Sequence, residues 1–119
     1  MLVEIDPTSD APIFAQIADS VRADVAAGRS GAGDRLPSAR ELAAALEVNV
    51  HTVLRAYQQL RDEGLVELRR GRGAVLTSAA DTLLAVSDDI TALAAKAISA
   101  GLSPETLSAL VKEAIRAID

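Results

Sequence analysis

The sequence predicts a mainly α-helical chain with one small β-hairpin, on three observations. Apolar residues recur at helical spacing over five stretches. After Gly64 the period changes to alternation. Residues that start or stop helices stand at the ends of most of these stretches. At 119 residues, half of them apolar, the chain can bury one modest core and carry an appendage.

The chain opens with Leu2-Val3-Glu4-Ile5, an alternating run that reads as a short edge strand ended by Asp6-Pro7. A helix is expected from about Ala11 to Ala27, with Pro12 in its first turn and Gly28 as its stop. Ile13, Phe14, Ile17, Val21 and Val25 form its apolar stripe. Residues 28–35, GRSGAGDR, read as a Gly-rich connector with no pattern of their own.

Two short amphipathic helices follow, from about Ala39 to Leu46 and from about Val50 to Glu63. Ser38 is placed to cap the first, with Glu41 three positions on, the spacing of a capping box. Asn49 is a natural cap for the second, and Gly64 supplies a left-handed residue to stop it. Leu42, Ala43 and Leu46 face inward from one helix, and Val53, Ala56, Tyr57 and Leu60 from the other. Only Glu47-Val48-Asn49 separates the two, so they must meet at a steep angle. That is the helix-turn-helix arrangement, whose second helix fits a DNA major groove. Leu65–Arg69 and Ala74–Thr77 then alternate like two strands joined by Arg70-Gly71-Arg72-Gly73, a tight hairpin tip. Three helices and a hairpin make the winged form of the motif.

The last forty residues read as a helical hairpin, one helix from about Ala80 to Ala100 stopped by Gly101, the next started by Ser103-Pro104-Glu105. Such a pair exposes more apolar surface than it can bury against itself. A second copy of the chain is the expected cover, with packing onto the chain's own first domain as the alternative. The interface would use Leu83, Val86, Ile90, Leu93 and Ile98 from one arm and Leu107, Leu110, Val111 and Ile115 from the other. The expected division is a winged helix-turn-helix domain over residues 1–77 and a dimerisation hairpin over 78–119.

Composition removes several function classes. No signal-peptide pattern is present, and no apolar run approaches the ~20 residues of a membrane span. Without cysteine there are no disulfides or thiolate metal sites, and a reducing cytoplasm is the expected compartment. His51 is the sole histidine, and Asp88 and Asp89, adjacent on a helix, point apart. With no phosphate-cradling loop, activated nucleophile or paired catalytic carboxylates, neither an enzyme, a cofactor nor a metal is expected. The net charge is −5, but its distribution matters more than its sum. Residues 1–27 carry one Arg against five acids, and 77–119 carry three basic residues against six. Residues 34–73 carry seven Arg against six acids, ending in the basic run Arg69-Arg70-Gly71-Arg72.

The stretch from Ile5 to Thr77 resembles the GntR family of bacterial transcription regulators. The resemblance lies in APIFAQIADSVRADVAAG, GDRLPSARELAAALEV, HTVLRAYQQLRDEGLVE and GRGAVLT, in the family's order and spacing. The opening IDPTSDAPIFAQI, the Thr-Val-x-Arg-Ala-Tyr core and the short tail are most similar to the YtrA subgroup, in which a small two-helix segment serves for dimerisation. The resemblance implies that Ser38 and Arg40 contact DNA from the Leu-Pro-Ser-x-Arg-Glu-Leu motif, which runs from Leu36 to Leu42. It further implies that Asn49, Val50, His51 and Thr52 reach base edges from the start of the recognition helix. Arg55, on the same face as His51, matches an Arg shared by the subgroup, suited to guanine or phosphate. Arg70, Gly71, Arg72 and Gly73 match the wing tip, where small residues let the backbone approach the minor groove. Val50, His51 and Leu54 depart from the residues common in relatives, so the resemblance carries over no base preference.

The function expected is a homodimeric, sequence-specific regulator, a repressor, bound to an inverted-repeat operator in double-stranded DNA. Half-sites would lie about one helical turn, ~34–36 Å, apart. By family analogy the target is an operon encoding a transporter. No small-molecule effector is identifiable. The competing reading is a winged-helix protein-interaction module without specific DNA binding.

Overall fold

The computed structural model describes all residues, 1–119. Its elements run α1 (Ile13–Ala26), α2 (Ala39–Leu46), α3 (Val50–Asp62), β1 (Val66–Arg69), β2 (Gly73–Leu76), α4 (Ala79–Ser99) and α5 (Pro104–Ile118). Five helices and one antiparallel pair of strands match the expected fold class. By its internal contacts the chain forms two compact units, Met1–Ala85 and Val86–Asp119, so the division falls inside α4. Ala80 is buried in the first unit and Leu83 packs half-buried on its core, which attaches the first turns of α4 to that unit.

The N-terminal segment differs from expectation. Leu2–Ile5 forms no strand. Its amides find side chains of α1 instead: Glu4 N–H donates to Ser20 Oγ at 3.0 Å and Asp6 N–H to Gln16 Oε1 at 2.6 Å. Gln16 Nε2 returns a bond to the Asp6 carbonyl at 3.1 Å and another to that of Ala11 at 2.9 Å. Val3 is thereby laid into the core. Helix α1 begins at Ile13 with Pro12 as its N-cap rather than inside its first turn.

The core of the first unit is the meeting of three apolar faces. Ile17, Val21 and Val25 of α1, Leu42 and Ala43 of α2, and Val53, Ala56, Tyr57 and Leu60 of α3 are all buried. Both expected caps form: Ser38 Oγ accepts from Glu41 N–H at 3.1 Å, and Asn49 Oδ1 from His51 N–H at 2.8 Å. The reciprocal half of the capping box, from the Glu41 carboxylate, does not form. The turn between the helices is closed by Glu47 in a left-handed conformation (φ 57°), a position where a side chain is strained. Gly64 (φ 85°) follows α3 as expected, and the C-cap, Glu63, ends the helix one residue early.

The wing pairs Val66 with Leu76 and Arg69 with Gly73, so the tip is Arg70-Gly71-Arg72 and Gly73 belongs to β2. The connector before α2 is not featureless. Asp24 of α1, only 1% exposed, accepts from Arg29 Nε at 2.8 Å and from the Ser30 hydroxyl. Burial opposes its ionisation most strongly, but the Ser30 and Arg29 hydrogen bonds and the Arg29 charge together hold its carboxyl below the ordinary value. The connector then runs beside β2: Gly33 N–H donates to the Leu76 carbonyl, Leu76 N–H to that of Asp34, and Leu36 N–H to that of Ala74, at 2.8–2.9 Å. The wing therefore has a third extended segment bridged through Arg35 and Val75.

In the second unit, Gly101 (φ 76°) turns the chain, and Ser103 Oγ caps α5 by accepting from Thr106 N–H at 3.1 Å. Ala97 is its single buried apolar side chain, and no residue of α5 is buried. No helix is long and apolar enough to cross a membrane.

Candidate nucleic-acid interface

Most of the DNA-binding residues named from the sequence line one of two clefts on the first unit. One is an open cleft of about 300 Å³ at the start of α3, lined by Asn49, His51, Thr52 and Arg55 and walled by Phe14 of α1. The other, about 350 Å³, lies between α2, α3 and the wing and is lined by Ser38, Leu54, Tyr57, Arg70 and Gly73 among others. Arg40 on α2 and Gly71 and Arg72 at the wing tip are exposed outside both clefts.

Local chemistry places each group. The Asn49 cap satisfies the His51 amide, so α3 begins with His51 exposed and Thr52 half-buried. Val50, expected at a base edge, is half-buried and packs on the core. The Ser38 hydroxyl is occupied as an acceptor by its own helix. Tyr57 fastens the start of α2 to α3 by donating its hydroxyl to the Pro37 carbonyl at 2.6 Å. Burial, with the Glu41 charge adding, pushes the Tyr57 pKa well above its ordinary value, so it remains a donor. At the wing tip Gly71 and Gly73 both have positive φ (82° and 75°), which side chains resist.

Charge pairing separates the arginines into two sets. Arg22, Arg29, Arg61, Arg69 and Arg116 are held by carboxylates, whereas Arg35, Arg40, Arg55, Arg70 and Arg72 take part in no ion pair. All five of the latter are exposed on the first unit, around α2, α3 and the wing. Guanidinium groups without an internal partner keep their planar donor forks for phosphate or guanine. No group of three or more His, Asp or Glu side chains is arranged to hold a metal ion.

Comparison with known proteins decides the family. The sequence model of the bacterial regulatory proteins, gntR family, matches residues 14–76. The chain belongs to the GntR family. It is a transcription regulator with a winged helix-turn-helix DNA-binding domain, and not an enzyme. The repressor YtrA of Bacillus subtilis is 36% identical, over 94% of this chain and 91% of that protein. Among solved structures, a GntR-family regulator from Listeria monocytogenes superposes with a TM-score of 0.63 at 30% identity, covering 92% of this chain and 98% of that one. YtrA from Sulfolobus acidocaldarius superposes with a TM-score of 0.61 at 35% identity, covering 83% and 99%. The likeness to YtrA proteins thus extends beyond the matched domain.

Sequence reasoning passed over two residues of this surface. Arg35 reads as part of a patternless connector, and only its bridge to Val75 sets it beside the wing. Phe14 reads as one more member of the α1 stripe. Its half-burial, against the complete burial of Ile17 and Val21, distinguishes it only once the helices are packed.

Proposed function

We propose that this regulator is a homodimeric, sequence-specific repressor that binds an inverted-repeat operator in double-stranded DNA, in the cytoplasm. The observation that carries the reading is the set of arginines without ion pairs, Arg35, Arg40, Arg55, Arg70 and Arg72, around the start of α3 and the wing. Asn49, Val50, His51, Thr52 and Arg55 meet base edges in the major groove, Val50 with the part of its side chain that does not pack on the core. Ser38 and Arg40 grip the backbone beside them, and Arg70-Gly71-Arg72-Gly73 lies against the minor groove. Repression follows from occupying a promoter, and the likeness to the Bacillus subtilis repressor YtrA supports it. A transporter operon is the target that analogy with the YtrA subgroup suggests.

The second copy is argued from the hairpin. Val86, Ile90, Leu93 and Ile98 on α4 and Leu110, Val111 and Ile115 on α5 are 38–78% exposed. Leu107 lines an apolar groove of about 420 Å³ whose only charged lining residue is Lys96. A surface with so few polar groups suits a copy of itself better than an effector. Leu83, half-buried on the core of the first unit, would add only its remaining exposed surface to this interface.

Titration with genomic fragments at several salt concentrations tests the reading. Setting aside Arg55, which meets bases, the four other unpaired arginines of each subunit, Arg35, Arg40, Arg70 and Arg72, neutralise about eight phosphates per dimer and give a log–log salt slope of about −7. Selection of particular palindromic fragments with a slope of that order is expected. Binding that selects no fragment even at low salt would favour the protein-interaction module instead.

A further inference from the structure

The Arg55 guanidinium lies over the face of the Phe14 ring, with Cζ 3.8 Å from the ring centroid. Phe14 is the only phenylalanine of the chain and sits in the first turn of α1, half-buried. It forms one wall of the cleft whose other lining residues are Asn49, His51, Thr52 and Arg55. No carboxylate pairs with Arg55.

A guanidinium stacked by its face keeps its N–H donors free, because they lie in the plane and point outward from the edge. An ion pair would consume those same donors. Stacking also restricts a long, flexible side chain before DNA arrives, so less rotamer freedom is lost on binding. We infer that Phe14 is a positioning residue for DNA readout: its ring holds Arg55 with the donor edge turned to the bases beside His51 and Thr52. The inference rests on the proposed DNA contact of Arg55. It assigns part of the specificity of α3 to a residue on α1 that need touch no base.

The test uses the full-length chain and a duplex selected by it from random-sequence DNA, with a scrambled duplex of equal length as control. Phe14→Leu keeps apolar volume without a ring face, and Phe14→Tyr keeps the face. Phe14→Leu is expected to weaken binding to the selected duplex by about 2- to 5-fold, the worth of one exposed cation–π contact. Binding to the scrambled duplex should be unchanged, and Phe14→Tyr should bind like the parent. In an Arg55→Ala background Phe14→Leu should have no further effect. The Arg55 side-chain proton resonances should also lose a ring-current shift in Phe14→Leu without DNA. Equal weakening in both backgrounds, or on both duplexes, would reduce Phe14 to a core residue and overturn the inference. So would full affinity in Phe14→Leu when Arg55→Ala is impaired. If Arg55→Ala itself binds normally, the proposed Arg55 contact fails first, and the inference falls with it.

Discussion

Asp24 offers the sharpest test of how the first unit holds its wing. Its carboxylate is 2% exposed and accepts from Arg29 Nε at 2.8 Å and from the Ser30 hydroxyl, which starts the connector toward β2. Asp24→Ala removes both bonds. The Arg29 side chain is 63% exposed, so its pair is discounted to about 0.5–1 kcal/mol. The Ser30 bond to a buried charge contributes about 1.5 kcal/mol. A loss of about 2 kcal/mol would lower the melting temperature of a unit this size by about 8–16 °C. Asp24→Asn keeps one acceptor and should fall between. The pH dependence has a definite sign. The folded carboxyl titrates below its unfolded value, so the contribution is complete above the unfolded pKa of about 3.9 and is lost as pH falls through the folded one. Thermal unfolding by circular dichroism at fixed protein concentration, from pH 7 to 3, should show the gap between parent and Asp24→Asn closing at the acid end. A gap that stays constant with pH, or an Asp24→Ala variant that melts like the parent, would refute the reasoning.

Three further outcomes follow from the same packing. Tyr57→Phe removes the bond to the Pro37 carbonyl and should cost about 1 kcal/mol, read as a fall of about 4–8 °C in melting temperature. Glu47→Asn relieves a left-handed position that asparagine tolerates, and urea denaturation should show a gain of about 0.5–1 kcal/mol. A chain ending at Ala85 keeps Ala80 and Leu83 on their core, so it should remain folded. If the hairpin is the interface, that chain sediments as a monomer while the full chain sediments as a dimer.

The elements that were legible in the sequence are those specified by neighbours a few positions away. Ser38 and Asn49 sit one residue before their helices and cap them. The i, i+3, i+4 recurrence of Val53, Ala56, Tyr57 and Leu60 marked the buried face of α3, and alternation after Gly64 marked the wing. What escaped depends on partners far along the chain. Leu2–Ile5 alternates like a strand, but Ser20 and Gln16 claim its neighbouring amides before any strand can. Residues 28–35 have no period because Asp24 and β2 organise them. Phe14 and Val50 show the same limit in opposite directions. A stripe residue turns out to face Arg55, and Val50, at the start of α3, turns out to lay part of its side chain on the core.

The central claim is that α3 and the wing read a two-fold DNA site. Selection of bound sequences from random double-stranded DNA by the full-length chain tests it most directly. An enriched inverted repeat is predicted, with half-site centres about one helical turn apart, and its enrichment should disappear with Arg55→Ala. Recovery of no motif, or of a motif that Arg55→Ala selects equally well, would contradict the account.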